Sequence, residues 1–380
     1  MKRFVCYTLT AALTFSLCAC SRSGSSTIGG EMESSSSFVE VSDPFVDKSS
    51  PETESDDTFS GVGDGYDYIR EGFDREDFDE DYIDYMKHGN GGTSWDNKQF
   101  KADGKNCIED SLVTYGGGEM EISFSETTYT DAGECSTGYM VFIGGTPQII
   151  TFNGSEPSTL GTEAGRKDHE TKECKINFTP RLTQEDIDNK DNLKLTLVHM
   201  NDPLYLTAGS VEKRLDFEHS ASLVHQVSFK LEGDCELIEL VSDKSFEHFN
   251  ELDRAVRDYL WESLSRLEDK NNVRFELYSA EKADKPVIKD GKADIALLIY
   301  GSKQKTVYKV YFYVNHEPVK IDGCDYITAE LKEGFVSKYT VTLDNVKEGD
   351  FVYAIAVAGL DGQRWVLKTD TRRLWLFTSN

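Results

Sequence analysis

The chain has 380 residues, of which 68 are acidic and 41 are basic, and its formal net charge is −27. This charge disfavours binding to nucleic acids, whose phosphates require basic partners. The length is sufficient for more than one folded domain, and 38% of the residues are hydrophobic, enough to form buried cores.

The first twenty residues have the organisation of an export signal. Lys2 and Arg3 provide a positively charged start. The apolar segment 4–17 is too short to span a bilayer comfortably, but it has the length of a signal-peptide core. The sequence "LCAC" at 17–20 follows, and it resembles the lipobox of bacterial lipoproteins.

The lipobox resemblance implies that residues 1–19 are removed and that Cys20 is lipidated. In such proteins the cysteine after the cleavage point carries a diacylglycerol on its sulfur, and two acyl chains give stable anchoring. Cys18 would leave with the signal peptide. An ordinary signal peptide that is cleaved nearby is the alternative. We therefore expect a protein held by Cys20 on the extracellular face of a bacterial membrane.

Residues 20–97 have the composition of a disordered acidic tether. Residues 21–97 contain 20 acidic and 5 basic residues, and so carry −15 of the net charge. Such a composition cannot bury enough apolar surface to offset the entropy of folding. The aromatic and acidic stretch that starts at Tyr66 has three interpretations: a solvated stalk, a calcium site, or a segment ordered by a partner. It lacks the spacing of an EF-hand loop, which favours the stalk.

From residue 98 the chain alternates short runs of β-branched and aromatic residues with Gly, Asn and Asp. This pattern is typical of antiparallel sandwich strands and the turns between them. One set of strands fills 98–240 and a second fills 286–380. We therefore predict a mainly β protein with two tandem Ig-like sandwiches.

The two strand sets contain an internal repeat. The sequence "YMVFIGGTPQII" (139–150) aligns with "VYFYVNHEPVKI" (310–321), and Pro147 then matches Pro318. Further on, "CKINF" matches "SKYTV", and "LKLTLVHM" matches "FVYAIAVA", in the same order. The Gly-Gly and Asn-His pairs predict two-residue hairpin turns, and the prolines suit edge strands. The repeat indicates sandwiches related by duplication.

Between the sandwiches, residues 241–285 are predicted to form a helical connector. Apolar residues recur at spacings of three and four from Phe246 to Leu267, and Ser245 can cap the start. This predicts a helix of about five to six turns with one apolar face. The helix would pack on a sheet or between the sandwiches. Its polar face is acid-rich, which disfavours binding to a membrane surface.

The motifs of common enzymes are missing from the sequence. It has no G-x-S-x-G, P-loop or G-x-G-x-x-G motif in a suitable context, and its seven histidines lack the spacing of metal ligands. We therefore predict no catalytic residues, no metal site and no cofactor. Cys107, Cys135 and Cys174 have two interpretations, a disulfide within the first sandwich or buried free thiols.

Exposed aromatic residues are the candidates for ligand binding. In the strand "VYKVYFYV", alternation would place half of the side chains outward, including Tyr311 and Tyr313. Tyr205 lies in the predicted loop "NDPLYLTAG". Exposed aromatic rings stack on sugars and anchor protein interfaces. Packing within the sheet is the alternative for the strand tyrosines.

The lipobox, the Ser- and Glu-rich stalk, the "FIGGTPQ" hairpin and the "INFTP" strand together resemble cell-surface lipoproteins of Gram-positive gut Clostridia. The resemblance covers the signal and roughly residues 110–230, and it implies an Ig-like sandwich without catalytic residues. We therefore expect a non-enzymatic, lipid-anchored surface protein that binds a protein or a glycan, or has a structural role. A surface hydrolase that uses a pair of carboxylates is the alternative.

Overall fold

The computed structural model describes residues 92–95, 99–107, 111–205, 221–250, 253–257, 273–280, 287–301, 306–359, 374–375 and 377–378. All of them belong to one compact unit, Val62–Asn380. The signal peptide, Cys20 and the tether up to residue 91 lie outside the described residues. Within the described part of the chain, no helix has the length and hydropathy needed to cross a membrane.

The first sandwich contains one short helix, α1 (Gln184–Asp188), between two of its strands. Its strands are β1 (Gly92–Trp95), β2 (Lys101–Ala102), β3 (Lys105–Asn106), β4 (Leu112–Tyr115), β5 (Met120–Tyr129), β6 (Glu134–Ile143), β7 (Thr146–Pro147), β8 (Thr151–Phe152), β9 (Gly161–Lys167), β10 (Thr171–Phe178), β11 (Arg181–Leu182), β12 (Leu193–Asn201), β13 (Ala221–Leu231) and β14 (Glu236–Leu237).

Twelve of these strands form two facing sheets with the order of an Ig-like sandwich, and β11 and β14 pair in parallel as a separate two-stranded sheet. One sheet has the order β3-β2-β5-β10-β8, and β1 also pairs with β5. The other has the order β4-β13-β12-β6-β7, and β9 also pairs with β6. Strands A, B, E and D form one sheet of an Ig domain, and G, F, C and C′ form the other. By this scheme β5 is B, β6 is C, β10 is E and β12 is F.

The second sandwich repeats this architecture. A short helix, α2 (Arg254–Arg257), precedes its second strand. Its strands are β15 (Glu247–Asn250), β16 (Val273–Ser279), β17 (Val287–Lys289), β18 (Lys292–Gly301), β19 (Val307–Val314), β20 (Glu317–Val319), β21 (Ile327–Glu330), β22 (Phe335–Asp344), β23 (Phe351–Val357), β24 (Leu374–Trp375) and β25 (Phe377–Thr378).

One sheet of the second sandwich has the order β15-β22-β18-β17-β25, with β16 also on β18. The other has the order β20-β19-β23-β24, with β21 also on β19. Here β18 is B, β19 is C, β22 is E and β23 is F. The prediction of a mainly β protein with tandem Ig-like sandwiches is therefore confirmed.

The predicted helical connector 241–285 is wrong at both ends, because Glu247–Asn250 and Val273–Ser279 form strands of the second sandwich. Residues Glu247–Asn250 form β15, which pairs with β22 at the edge where strand D of an Ig domain would lie. The free edge of β22 offers backbone partners that override the helical periodicity of the sequence. Helix begins only at Arg254, and Val256 is fully buried against the outward-facing residues Leu298 and Val336 of the adjacent sheet. Residues 258–272 lie outside the described part of the chain.

The predicted hairpin turns are confirmed in both sandwiches. Pro147 pairs with Phe142 in the first hairpin, and Pro318 pairs with Tyr313 in the second. The turn residues Gly144 and Gly145 have φ values of +61° and +78°, and Asn315 and His316 have +50° and +71°. Two-residue turns of this type require positive φ at both positions. The repeat in the sequence therefore marks the same C–C′ hairpin in each sandwich.

Candidate functional site

Tyr311 and Tyr313 do not face solvent, so the premise that made them ligand contacts is wrong. Their exposed fractions are only 4% and 1%. Both point away from the core of their own sandwich, as the alternation predicts, but the first sandwich covers them. The ring of Tyr311 lies 6.1 Å from the ring of Phe142 in β6. The tyrosine face of the second sandwich is therefore an internal interface.

We call the outward residues of the C and F strands the C–F face of each sandwich. The two C–F faces pack against each other in one apolar cluster. Its members from the first sandwich include Met140, Phe142, Val198 and Met200, and those from the second include Tyr311, Tyr313, Tyr353, Ile355 and Val357. Runs such as "YMVFI" and "FVYAIAV" carry no polar alternation. Such runs are typical of strands that are buried on both faces.

Polar contacts close both ends of this interface. At one end the Lys194 amide donates to the Gly359 carbonyl at 2.8 Å. At the other end His316 Nε2 donates to the Pro203 carbonyl at 2.7 Å. The Tyr353 hydroxyl donates to His316 Nδ1 at 3.1 Å, which fixes the ring. These contacts join a hairpin turn, or the strand beside it, to the partner sandwich.

A buried carboxylate links the first hairpin to the second sandwich. Asp186 is 1% exposed and accepts hydrogen bonds from Thr146 Oγ1 at 2.7 Å and from the Thr183 amide at 2.9 Å. Lys309 Nζ of the second sandwich lies 3.4 Å from Asp186 Oδ1. The side chain of Gln148 bonds to the backbone of Arg181 in both directions. The "GGTPQ" and "FTP" motifs thus hold the hairpin and α1 in place.

Tyr205 is the predicted ligand residue that retains access to solvent. It is half-buried, and its neighbour Leu204 is 48% exposed. The preceding turn is fixed because the buried carboxylate of Asp202 accepts from the Ser136 amide and hydroxyl at 2.8 and 2.7 Å. The Tyr205 amide donates to the Asp202 carbonyl. Residues 206–220 lie outside the described part of the chain.

A charged cluster that the sequence analysis missed lies inside the first sandwich. Glu126 and Arg166 are both 0% exposed, and their closest charged atoms are 3.5 Å apart. Thr137 Oγ1 donates to Glu126 Oε1 at 2.9 Å, and His199 Nε2 donates to Thr137 Oγ1 at 3.0 Å. Glu126 occupies an inward position of β5, in register with Met120, Ile122 and Phe124. The alternation in "MEISFSETTY" places Glu126 among the inward-facing residues, and this pattern could have predicted its burial.

This cluster is sealed from solvent. Trp95 of β1 stacks edge-on against His199 with ring centroids 5.0 Å apart, and its indole N–H donates to the Tyr139 hydroxyl at 2.8 Å. Burial, and secondarily the charge of Arg166, lowers the pKa of His199 to about 3. His199 is therefore neutral at physiological pH. The arrangement orients side chains in a core and offers no atom to a substrate.

The cysteines are free thiols in the structure, so the disulfide interpretation is wrong for the described chain. Burial raises the pKa of Cys107 to about 11 and that of Cys174 to about 12. Desolvation also raises the pKa of Cys135 to about 12. The thiolate is the reactive form of cysteine, so these groups are poor nucleophiles. Cys107 and Cys135 are buried as small side chains, and the Cys174 thiol donates to Glu126 Oε2 at 3.3 Å.

Two further features of the described residues concern metal ligands and a surface cavity. No group of three or more His, Cys, Asp or Glu side chains there is arranged to hold a metal ion. A cavity of about 240 Å³ lies between β17, β18 and β22, and its polar lining includes Lys292, Asp294 and Thr342. Lys292 in this lining is already paired, since its Nζ lies 2.8 Å from Asp344 Oδ1. Asp294 accepts from Thr342 Oγ1 at 2.5 Å.

No protein-family model matches the chain, and no curated protein matches it. The CARDB domain of the PF1109 protein from Pyrococcus furiosus, solved with di-metal ions, is 14% identical with a TM-score of 0.21. It covers 37% of this chain and 96% of its own.

Two further solved structures are similar over a larger part of the chain. The fibronectin(III)-like modules of Clostridium thermocellum CbhA are 9% identical with a TM-score of 0.19, covering 76% of this chain and 94% of their own. Red sea bream transglutaminase is 4% identical with a TM-score of 0.17, and the match covers 75% of this chain and 32% of the transglutaminase.

Proposed function

We propose that this protein is a non-enzymatic bacterial surface protein, anchored by a lipid on Cys20, that presents two sandwiches joined through their C–F faces to the exterior. The joined C–F faces carry this proposal. They make the sandwiches one body, in which the central strands β6, β12, β19 and β23 are enclosed. Ligands are then left with loops, edges and outer sheet faces, which are the surfaces of a structural or binding module.

The anchoring part of the proposal rests on the "LCAC" sequence at 17–20. Feeding a labelled fatty acid to a Gram-positive host that expresses the full chain tests it. We expect the label to enter the protein and to be lost in Cys20→Ser. Cys18→Ser is the matched control and should retain the label. Labelled Cys20→Ser protein would contradict the anchor.

For ligand binding we propose the surface around Tyr205, where Leu204 adds exposed apolar area. Bead-bound chain should retain a mucin, a glycan or a wall protein in a saturable manner, and Tyr205→Ala should weaken that retention. Tyr129→Ala, a half-buried tyrosine of β5, is the control. Equal loss in both variants would contradict the proposed surface. Release of new reducing ends from the glycans would contradict the non-enzymatic function and favour the hydrolase.

A further inference from the structure

The two C–F faces are equivalent surfaces, residue by residue. Ile143 and Val314 both precede a two-residue turn, and they pair with Leu195 and Val352. In the structure, the equivalent residues of the two F strands are therefore offset by one residue from the alignment of "LKLTLVHM" with "FVYAIAVA". The equivalent outward residues are then Met140 and Tyr311, Phe142 and Tyr313, Val198 and Ile355, and Met200 and Val357. All eight belong to the same interface cluster.

The contacts at the ends of the interface are reciprocal as well. Gly359 follows the F strand of the second sandwich and touches the hairpin of the first, since an added Cβ would lie 2.1 Å from the Gly144 carbonyl oxygen. Pro203 follows the F strand of the first sandwich and binds His316 in the hairpin of the second. Each hairpin therefore meets the end of the partner's F strand. Equivalent surfaces in reciprocal contact define an approximate two-fold axis, as in an isologous dimer.

A short hinge joins the two sandwiches, and a backbone amide on each side of it is hydrogen-bonded to one of them. Ile238 donates its amide to the Leu182 carbonyl of the first sandwich, and Val241 donates to the Asp325 carboxylate of the second. Only Glu239 and Leu240 separate these two attachments. Leu237 and Val241 are 59% and 50% exposed, so the segment is lightly packed. Short hinges between paired elements favour exchange of those elements between copies.

We infer that the C–F faces also pair between two copies of this chain, so that the first sandwich of one copy binds the second sandwich of the other. Such an exchanged dimer contains the interface seen here twice. It also keeps the Lys309–Asp186 ion pair. If the first sandwiches of two copies paired with each other, this contact would be lost. The reason is that Gly138 occupies the position in the first sandwich that Lys309 occupies in the second. The occupant is therefore the opposite face of a second copy.

Mixing two variants, each with one C–F face disrupted, tests this pairing in solution. Every variant also carries Cys20→Ser, so the test is independent of the proposed anchor. Phe142→Glu breaks the face of the first sandwich and Tyr313→Glu breaks that of the second. Each variant alone should be monomeric by light scattering. An equal mixture should show a doubling of mass, because one intact face of each kind is then available.

Matched controls distinguish specific pairing from general adhesion. Thr340→Glu changes an exposed residue of β22 and leaves both faces intact. Mixing it with Phe142→Glu should leave the mass unchanged, because its own faces remain paired. A mixture of the two face variants that stays monomeric, while circular dichroism shows both folded, overturns the inference.

A hinge variant tests the same inference without altering a face. Deleting Glu239 and Leu240 preserves side-chain alternation but removes the reach needed to close the chain on itself. We expect a dimer in this variant and a monomer when a Gly/Ser segment is inserted instead. A folded deletion variant that remains monomeric would overturn the exchange even if a face variant failed to fold.

Discussion

The two sandwiches share a topology but differ in what they bury at equivalent positions. In the first, Thr137 pairs across to Glu163 and lies beside His199. By the same register the second sandwich has Tyr308 paired with Ala329. Among its described residues the buried carboxylate is Asp350, which lies in the turn before β23 and accepts from Asn315 Nδ2 at 2.8 Å. The fold therefore does not require the charged cluster of the first sandwich.

The charged cluster is thus a feature of the first sandwich alone among the described residues, and it extends to further charged side chains. Arg166 also binds Glu163 at 3.1 Å, and Lys172 Nζ lies 3.0 Å from the same carboxylate. Buried ion pairs rarely add stability over an apolar core, because desolvation offsets their attraction. The cluster lies under β1, whose Trp95 contacts His199. This strand falls within residues 20–97, so the prediction of a disordered tether is wrong at Gly92–Trp95. We interpret the cluster as an arrangement that fixes the side chains next to β1.

The largest expected effect comes from breaking the ion pair on one side. Arg166→Met leaves Glu126 buried without its partner, and we expect the free energy of unfolding to fall by about 3–5 kcal/mol. Urea unfolding of the chain with Cys20→Ser measures it. Lys175→Met removes an exposed pair with Glu121 and should change stability by less than about 1 kcal/mol. A double variant with Glu126→Gln should recover much of the loss.

A smaller loss is expected when the interface is forced apart. An added Cβ at Gly359 would lie 2.1 Å from the Gly144 oxygen and 2.6 Å from the Gly145 nitrogen, both backbone atoms. We expect Gly359→Ala to lower the free energy of unfolding by about 3 kcal/mol, through overpacking. Gly116→Ala is the control, since its Cβ would meet nothing within 4 Å. Equal stability of the two variants would contradict a tight interface.

Acid should destabilise the chain through His199. Its folded pKa is lowered to about 3 from 6.5, so the unfolded chain binds a proton that the folded chain does not. The free energy of unfolding therefore falls as pH drops below about 6.5, by about 2 kcal/mol between pH 7.5 and pH 5. Thermal unfolding at several pH values should show a flatter profile for His199→Asn. His169→Asn, a change at an exposed histidine, should keep the original profile.

The smallest expected effect concerns the second hairpin. His316→Ala removes the bonds to Pro203 and Tyr353, and we expect a loss of about 1 kcal/mol in the free energy of unfolding. His169→Ala is matched, because His169 also has a positive φ of +55° but lies exposed. Urea unfolding should separate the two variants. Indistinguishable midpoints would mean that the turn conformation, and not the interface contact, accounts for His316.

Much of the fold follows from local patterns, but the candidate site does not. Turn residues with positive φ and β-branched runs depend on nearby backbone preferences, so the hairpins at Gly144 and Asn315 could be predicted. The strand at Glu247–Asn250 could not, because its partner β22 lies almost ninety residues further on. Burial of Tyr311 depends on a different sandwich, and alternation within one strand carries no information about that.

The sequence by itself determined the mainly β class, the duplicated hairpin and the concentration of acidic residues ahead of the β-rich region. Each of these is written in composition or in periodicity along the chain. Only the tertiary structure decided that the C–F faces cover each other, that Glu126 and Arg166 meet in a core, and that the described cysteines stay unpaired. These outcomes depend on contacts between residues far apart in sequence, which are set by how sheets pack in space.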